Sequence, residues 1–351
     1  MKTKLLTLAL AALTIGLLGS CKKEDPKVSV TGVTLDKPTL DITVGDPDVK
    51  LTATIAPENA TDKTVSWSSD KTEFATVDNQ GNVHAVAPGT ATITVTTADG
   101  NKTATCAVAV KAALPQGALS GEFSVSATKK VHFSQGNLVA TIDATGAPTA
   151  WKFSAHQYEY IGVNVANTKI GKEAGDVDLF GWSTDAASNN WGIHTKTSET
   201  DGFTTGNFKD WGKAVGDGNT WRTLSKPEWT YLINKDGEEN IRKGKYKYGV
   251  TVCEKANCLI LAPDDFEGTI AESYDAAAWA SAEAAGLVCL PAAGSRSEYN
   301  VFTVGSSGLY WSSTADGSPA YYVFFMSSLI ATDFKSGRYG GYSVRLITEC
   351  Q

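Results

Sequence analysis

The sequence has few of the features that mark several common classes of protein. Charged residues make up 20% of the 351 positions and the formal net charge is −7, so no basic stripe is available to neutralise nucleic-acid phosphates. The six cysteines contain no CxxC spacing, and no HExxH, P-loop or GxSxG motif occurs. We therefore predict no nucleic-acid partner, no cofactor, no metal-binding motif and no enzymatic activity; bound calcium stays an open alternative.

Long apolar runs are also missing beyond the first twenty residues. There, Lys2 and Lys4 precede an apolar stretch at 5–18, and small residues then lead to Cys21. This order is typical of an export signal that is removed from the mature chain. The stretch is shorter than the ~20 apolar residues of a comfortable bilayer span. We expect an exported protein with no membrane-crossing segment.

The residues around Cys21 carry a more specific signal. The sequence LGSC at 18–21 resembles the lipobox of bacterial lipoproteins, which implies a lipid anchor on Cys21 and attachment to a membrane. Ordinary signal cleavage beside a chance cysteine is the alternative. The KED at 23–25 resembles the signal that sends lipoproteins of Bacteroidetes to the outer face of the cell. The expected location is therefore the outer membrane, exposed at the cell surface.

The composition favours a mainly β protein of two domains. The chain is rich in glycine and tryptophan, with 33 and nine residues, and the roughly 330 residues after the leader fit two domains of ~100–200 residues. Changes in composition and residue pattern along the chain give the predicted boundaries. These are a signal peptide at 1–20, a tether at 21–27, a first domain at 28–111, a linker at 112–120 and a second domain at 121–351.

The first domain reads as a β-sandwich. Short alternating runs are separated by turn residues, and Cys106 alternates in phase with Val108 and Val110 as a buried strand residue would. Three segments are similar to the bacterial immunoglobulin-like domain, group 2: GVTLDKPTLDITVG, LTATIAPENATDKTVSWSSD and FATVDNQGNVHAVAPGTATITVTT. The resemblance implies a non-catalytic stalk or adhesion module with Trp67 and Val77 in its core.

The second domain combines aromatic-rich strands with two helices. The first helix begins with a capping box, SKPE at 225–228, and places Trp229, Leu232 and Ile233 on one face. The second runs from about Asp275 to Ala285 and stops at a glycine, after which LVCLPAAG predicts a buried strand.

A series of phrases in this domain resembles one family. The phrases are KVHFSQGNL, WKFSAHQYEYIG, DVDLFGWST, TWRTLSKPEWTYL, CLILAPDDF, LVCLPAAGSR, YWSST and YSVRLI. They resemble the C-type-lectin-like domains of Bacteroidetes surface lipoproteins, related to the fibrobacter major paralogous domain. The resemblance implies an α+β C-type-lectin-like fold whose long segment before the last strand presents a binding face. Some members are variable proteins of diversity-generating retroelements, substituted between the YWSST-like and SVRL-like phrases.

The tract at 308–347 lies in that interval and has the composition of a binding surface, with rigid aromatic rings among adaptable Ser, Gly and Asp. Alternation in AYYVFFMSSL predicts a strand with Tyr321, Val323 and Phe325 facing inward and Tyr322, Phe324 and Met326 facing outward. Trp311, Val344 and Leu346 are expected in the core, and Arg345 is expected to donate structural hydrogen bonds.

From this tract we predict the residues that face a protein or glycan ligand: Asp316, Tyr322, Phe324, Met326, Ser328, Ile330, Thr332, Phe334, Lys335, Arg338 and Tyr339. Replacing Tyr322 and Phe324 with Ala should then weaken binding and change the melting temperature little. A structural subunit of a surface or fimbria-like assembly is the alternative, and it would self-associate.

Three further alternatives stay open. The formylglycine-generating enzyme shares the fold implied here, but its reactive cysteines have no counterpart between Tyr310 and Leu346. Asp264 and Asp265 form a carboxylate pair that more often caps a turn. The oxygen-rich stretches 176–178 and 217–219 suit calcium, although the EPN, QPD and WND triplets of sugar-binding lectins are missing. Pairing among Cys253, Cys258, Cys289 and Cys350 is open, with the first two the simplest pair.

Overall fold

The chain forms two units, divided between Ala113 and Leu114. A computed structural model describes residues 26–186, 189, 191–195, 206–216, 218, 220–233 and 241–350. The predicted signal peptide and Cys21 lie outside these residues. Among the described helices, none has both the length and the apolar character needed to cross a bilayer.

Unit 1, which ends at Ala113, is built from strands only among its described residues. Its strands are β1 (Gly32–Leu35), β2 (Thr39–Thr43), β3 (Val49–Lys50), β4 (Ala53–Ala56), β5 (Val65–Ser69), β6 (Ala75–Val77), β7 (Asn82–Ala85), β8 (Gly89–Thr97) and β9 (Thr103–Lys111).

The strands of unit 1 pair as a sandwich. One sheet has the order β2-β9-β8-β5, with β2 parallel to β9, and the other strands pair as β3-β7-β6 and β1-β4. Alternation along β9 buries Cys106, Val108 and Val110, as predicted. Trp67 and Val77 are half-buried and pack against the edge of this core, so their predicted central position is corrected to a flanking one.

Unit 2 begins at Leu114 and contains the remaining elements. Its strands are β10 (Phe123–Ser124), β11 (Lys130–Phe133), β12 (Leu138–Ile142), β13 (Pro148–Phe153), β14 (Gly175–Val177), β15 (Arg222–Thr223), β16 (Tyr246–Val252), β17 (Lys255–Leu261), β18 (Ser273–Tyr274), β19 (Val288–Leu290), β20 (Ser295–Ser297), β21 (Asn300–Phe302), β22 (Ser307–Ala315), β23 (Pro319–Met326), β24 (Leu329–Gly337) and β25 (Leu346–Glu349). Its helices are α1 (Val165–Thr168), α2 (Lys226–Ile233) and α3 (Ala276–Ala284).

Both predicted helices are confirmed. In the first turn of α2, the carboxylate of Glu228 accepts hydrogen bonds from the backbone N–H and the hydroxyl of Ser225, the residue before the helix, both at 2.8 Å. Helix α3 is capped by Asp275, whose side chain accepts from the N–H of Ala278, and it is followed by Gly286 at a φ of +83°. The buried strand predicted after it is β19.

One three-stranded sheet of unit 2, β22-β23-β24, separates two apolar clusters. Val323 and Phe325 on β23 point into a cluster shared with α2 and β25. Ala320 points into a second cluster with Trp211 and Trp221. Apolar residues therefore cover much of both faces of this sheet. The β23 side chains that were predicted to face outward lie on the side of the second cluster, which is only partly open to solvent.

Candidate functional site

A row of aromatic rings crosses the β22-β23-β24 sheet. The strand register places Trp311, Tyr322 and Phe334 opposite one another on the three strands. The ring centroids of Trp311 and Tyr322 are 6.1 Å apart, as are those of Tyr322 and Phe334. The ring of Phe324 lies 5.7 Å from that of Phe334, and the ring of Tyr342 lies 4.8 Å from that of Tyr322. We call these five residues the aromatic row.

The aromatic row runs from the core to the surface. Trp311 is 1% exposed, Tyr322 and Phe324 are half-buried, and Phe334 is 39% exposed. Centroid separations of 4.5–7 Å with tilted or edge-on rings are favourable for aromatic pairs. Burial raises the pKa of Tyr342 to about 12, so its phenol stays neutral. The exposed ring of Phe334 therefore packs on two half-buried rings, and one of these, Tyr322, packs in turn on the buried rings of Trp311 and Tyr342.

A polar edge adjoins β23 and β24. Lys335 donates to Asp316 at 2.9 Å, and the hydroxyl of Tyr321 donates to the same carboxylate at 3.4 Å. The hydrogen bond from Lys335 holds the pKa of Asp316 below its usual value. Tyr321 is half-buried and ends at this edge, which corrects its predicted place in the core, whereas Val323 and Phe325 are buried as predicted.

The predicted ligand-facing residues separate into three groups. Asp316, Ser328, Phe334 and Lys335 are exposed. Tyr322, Phe324, Met326 and Tyr339 are half-buried. Ile330, Thr332 and Arg338 are buried, and the structure removes these three from the predicted surface.

Each of the three corrections has a local cause. Ile330 packs into the first cluster beside Phe325. The hydroxyl of Thr332 lies 3.2 Å from that of Thr230 on α2. Arg338 lies over the ring of Trp182, 4.4 Å from its centroid, and donates to the carbonyl of Gly317 at 2.7 Å.

Tyr322 and Phe324 need a different correction. Both pack against the second apolar cluster, so replacing them with Ala removes buried contacts as well as surface area. From this packing we expect such variants to lower the melting temperature as well as to weaken binding. Trp311, Val344 and Leu346 are buried as predicted, and Arg345 donates to Gln157 at 2.8 Å, also as predicted.

A cleft that the sequence did not indicate lies beside β13. It encloses about 390 Å³. Its lining includes Gln116, Gln135, Trp151, Phe153, Thr220 and Trp221. Phe153 and Trp221 meet edge to face at 4.9 Å. The sequence shows the two aromatic residues of WKF at 151–153. That they lie beside residues near 116 and 220 and form a cleft depends on the tertiary fold.

Of the two carboxylates considered for catalysis, Asp264 has structural partners and Asp265 is exposed. Asp264 accepts from the hydroxyl of Ser124 at 2.7 Å and from Arg242 at 3.1 Å. Burial would raise the pKa of Asp264, but the hydrogen bonds from Ser124 and the charge of Arg242 hold it below its usual value. Such an ionised, fully partnered carboxylate acts as a clamp between segments and is poorly placed to exchange protons.

The stretch 176–178 divides its carboxylates between different partners. Asp176 accepts from Thr141 and from Lys152, both at 2.6 Å. Asp178 accepts from the N–H of Ile161 and from the amide of Asn167. This agrees with the hydrogen-bonded alternative to calcium. Of the stretch 217–219, only Gly218 lies within the described residues.

The simplest expected disulfide, between Cys253 and Cys258, is not formed. The five cysteines that the structure describes are free thiols. The thiol of Cys258 lies by that of Cys289, and burial raises the pKa of Cys289 well above its usual value. The predicted lipidation site, Cys21, lies outside the described residues.

Comparison with known proteins identifies the first unit. Residues 29–108 match the family model of the bacterial Ig-like domain (group 2). Over 84 residues the chain is 51% identical to an Ig-like virion protein of Serratia phage KSP90, a match that covers 24% of this chain and 32% of that protein. An alpha-L-arabinofuranosidase of Bifidobacterium longum is 36% identical over 129 residues, which cover 36% of this chain and 12% of the enzyme.

Among solved structures, domains 4 and 5 of the S-layer protein SbsC are 29% identical to this chain, with a TM-score of 0.20, covering 23% of this chain and 51% of that one. The chain spans about a third or less of the length of the first curated relatives that it matches. The glycosidase match is a partial one, to an Ig-like domain. The chain therefore contains a bacterial Ig-like domain in a mainly β architecture.

Proposed function

We propose that this is a surface-displayed binding protein, anchored through lipid on Cys21, in which the Ig-like domain is a spacer and unit 2 is the binding head. An Ig-like domain at 29–108, preceded by an export signal, supports display outside the cell. For unit 2 we propose a C-type-lectin-like fold, in keeping with its antiparallel sheets and its two capped helices α2 and α3. The proposed location is the outer membrane, facing outwards.

One observation carries the choice of binding surface, namely that the aromatic row ends at the exposed ring of Phe334. A ring already fixed by packing loses little entropy on binding, and such aromatic anchors dominate binding energy at protein interfaces. Lys335, the next residue on β24, points to the opposite side of the sheet, where it pairs with Asp316 and lies over the ring of Tyr321. The proposed ligand is therefore a protein whose surface offers an apolar pocket for the Phe334 ring.

The test compares two exposed phenylalanines. Phe334→Ala removes the end of the aromatic row, and Phe302→Ala removes a ring on β21 that is 49% exposed. The wild-type chain selects binders from a phage-displayed library of protein fragments, and each binder is then measured against both variants. We expect Phe334→Ala to weaken binding at least about tenfold and Phe302→Ala to change it little.

Two outcomes contradict the proposal. Binders that do not distinguish Phe334→Ala from the wild type would place the binding surface elsewhere. A glycan array that finds ligands with the same Phe334 dependence would keep the surface and replace the protein ligand by a sugar.

A structural subunit is the second candidate, favoured by the position of β24. This strand lies at the edge of its sheet and exposes Leu329 and Phe334. Edge strands offer unpaired backbone groups to another chain. Sedimentation velocity over a wide concentration range decides: assembly lost in Phe334→Ala favours the subunit, and a monomer at all concentrations favours the binding head.

A further inference from the structure

Three adjacent strands of unit 2 place three possible metal ligands on one face. Phe123 on β10 pairs with Val131 on β11, so Glu122 falls opposite His132. Val131 also pairs with Glu349 on β25, and the N–H of Cys350 donates to the carbonyl of Lys130 at 3.0 Å.

Strand alternation fixes which way these side chains point. Phe123, Val131 and Phe133 point into the first apolar cluster. Glu122, His132 and Cys350 therefore share the opposite face. One ligand atom from each of the three residues lies within 4.8 Å of the other two.

The imidazole of His132 is already set for metal binding. Its Nδ1 lies 3.0 Å from the carbonyl oxygen of Gly121. Because a carbonyl oxygen can only accept, this contact puts a proton on Nδ1, and in the neutral imidazole the free lone pair is then on Nε2. A histidine that ligates a metal usually has its other ring nitrogen bonded in this way, which fixes the tautomer and the orientation of the ring. His132 is 8% exposed, so its position is held by the fold.

The chemical types of the three ligand atoms indicate which metal ion the site would bind. A thiolate, an imidazole and a carboxylate suit zinc, whereas calcium and magnesium prefer oxygen ligands only. We propose that Glu122, His132 and Cys350 bind a zinc ion, with a fourth position left for water or another donor. Zinc bonds of about 2.0–2.3 Å put tetrahedral ligands about 3.5 Å apart, so the three side chains need to close by about 1 Å.

Lys130 would compete with the metal. Its Nζ lies 3.3 Å from the carboxylate of Glu122 and 3.5 Å from that of Asp264. When zinc takes the Glu122 carboxylate, Lys130 retains Asp264 as its partner. The ammonium group nevertheless repels a cation at this distance. Removing the charge should therefore strengthen zinc binding.

The experiment titrates zinc into the full chain, purified with reduced thiols, by isothermal calorimetry. We expect one zinc ion per chain and a higher melting temperature in its presence. Cobalt in place of zinc should give a thiolate-to-cobalt charge-transfer absorption in the near ultraviolet. Cys350→Ser and Glu122→Gln should each weaken zinc binding by about 10–100-fold, and Cys350→Ser should abolish that absorption.

Two matched variants distinguish the loss of a zinc ligand from a general loss of folded structure. Cys253→Ser changes a half-buried thiol on the β16–β17 turn and should leave zinc affinity unchanged. Lys130→Ala should raise the affinity, which general damage to the fold would not do. Failure to bind zinc, or equal binding by the wild type and Cys350→Ser, would overturn the site.

Discussion

At the scale of single residues, Asp178 is notable among the described carboxyl groups for its strongly raised pKa. It is fully buried, and this burial raises its pKa to about 6, although bonds from Asn167 and Ile161 and the charge of Arg296 act in the opposite direction. Its ordinary value is 3.8. The native state therefore binds a proton more tightly at this position than the unfolded state does.

This raised pKa predicts a dependence of stability on pH. Between pH 4 and pH 6 the native state holds more protons at Asp178, so the contribution of this residue to the unfolding free energy falls as the pH rises. A shift of this size corresponds to about 3 kcal/mol. The difference in unfolding free energy between the wild type and Asp178→Asn, from chemical denaturation at each pH, should move in favour of the wild type on acidification from pH 7 to pH 4.

Asp316 provides the control for that measurement. Its pKa is held low by Lys335, so the contribution of Asp316 is present at neutral pH and is lost as the pH falls. The comparison with Asp316→Asn, extended below pH 4, should change in the opposite direction, because the contribution of Asp316 is lost below its ordinary pKa of 3.8. A wild-type advantage over Asp178→Asn that stays constant with pH would contradict the assignment.

At the scale of elements, the start of α2 is tied to two strands by one carboxylate. Glu228 accepts two bonds from Ser225 and a bidentate pair from Arg222 on β15, and Arg222 also binds Glu349 on β25. Burial would raise the pKa of Glu228, but these bonds from Arg222 and Ser225 hold it below its usual value. The carboxylate of the capping box thus joins the helix to the sheet.

Loss of this carboxylate should destabilise unit 2. Glu228→Ala removes the bidentate acceptor of Arg222, which keeps Glu349, and leaves the N–H of Ser225 without its acceptor; it should lower the unfolding free energy by about 2 kcal/mol. Glu272→Ala is the matched control, because that side chain is 82% exposed and pairs only with Lys247 at 2.6 Å. Equal effects in urea denaturation would show that burial at Glu228 adds nothing.

At the scale of the whole molecule, each unit has apolar clusters of its own. The cluster of unit 1 contains Ile93 and Cys106, and the clusters of unit 2 draw only on residues after Leu114. Cavities are therefore expected to act within one unit. Ile93→Ala in unit 1 and Leu261→Ala in unit 2 should each cost about 2–5 kcal/mol in the unit that contains the cavity.

Hydrogen exchange followed by mass spectrometry separates the two effects. Peptides from 26–113 should lose protection in Ile93→Ala, and peptides from 241–350 should lose it in Leu261→Ala. A single variant that reduces protection across both segments would mean that the two units unfold together.

The sequence by itself determined what depends on neighbours along the chain. Alternation placed Cys106, Val108 and Val110 on one strand face, SKPE marked the start of α2, and a glycine marked the end of α3. These patterns are local because strand alternation, capping and glycine stops act within a few residues. The Ig-like segment was likewise identified from its own order of short strands and turns.

Only the tertiary structure decided which residues pack against each face of a strand. Alternation gave β23 two sides, but the second apolar cluster, which packs against Tyr322 and Phe324, comes from distant segments. For the same reason no spacing motif reveals Glu122, His132 and Cys350, which become neighbours only when β10, β11 and β25 pair. Side-chain direction is set by backbone geometry within a strand, whereas the partner of that side chain is set by long-range strand pairing, which a single stretch of sequence does not encode.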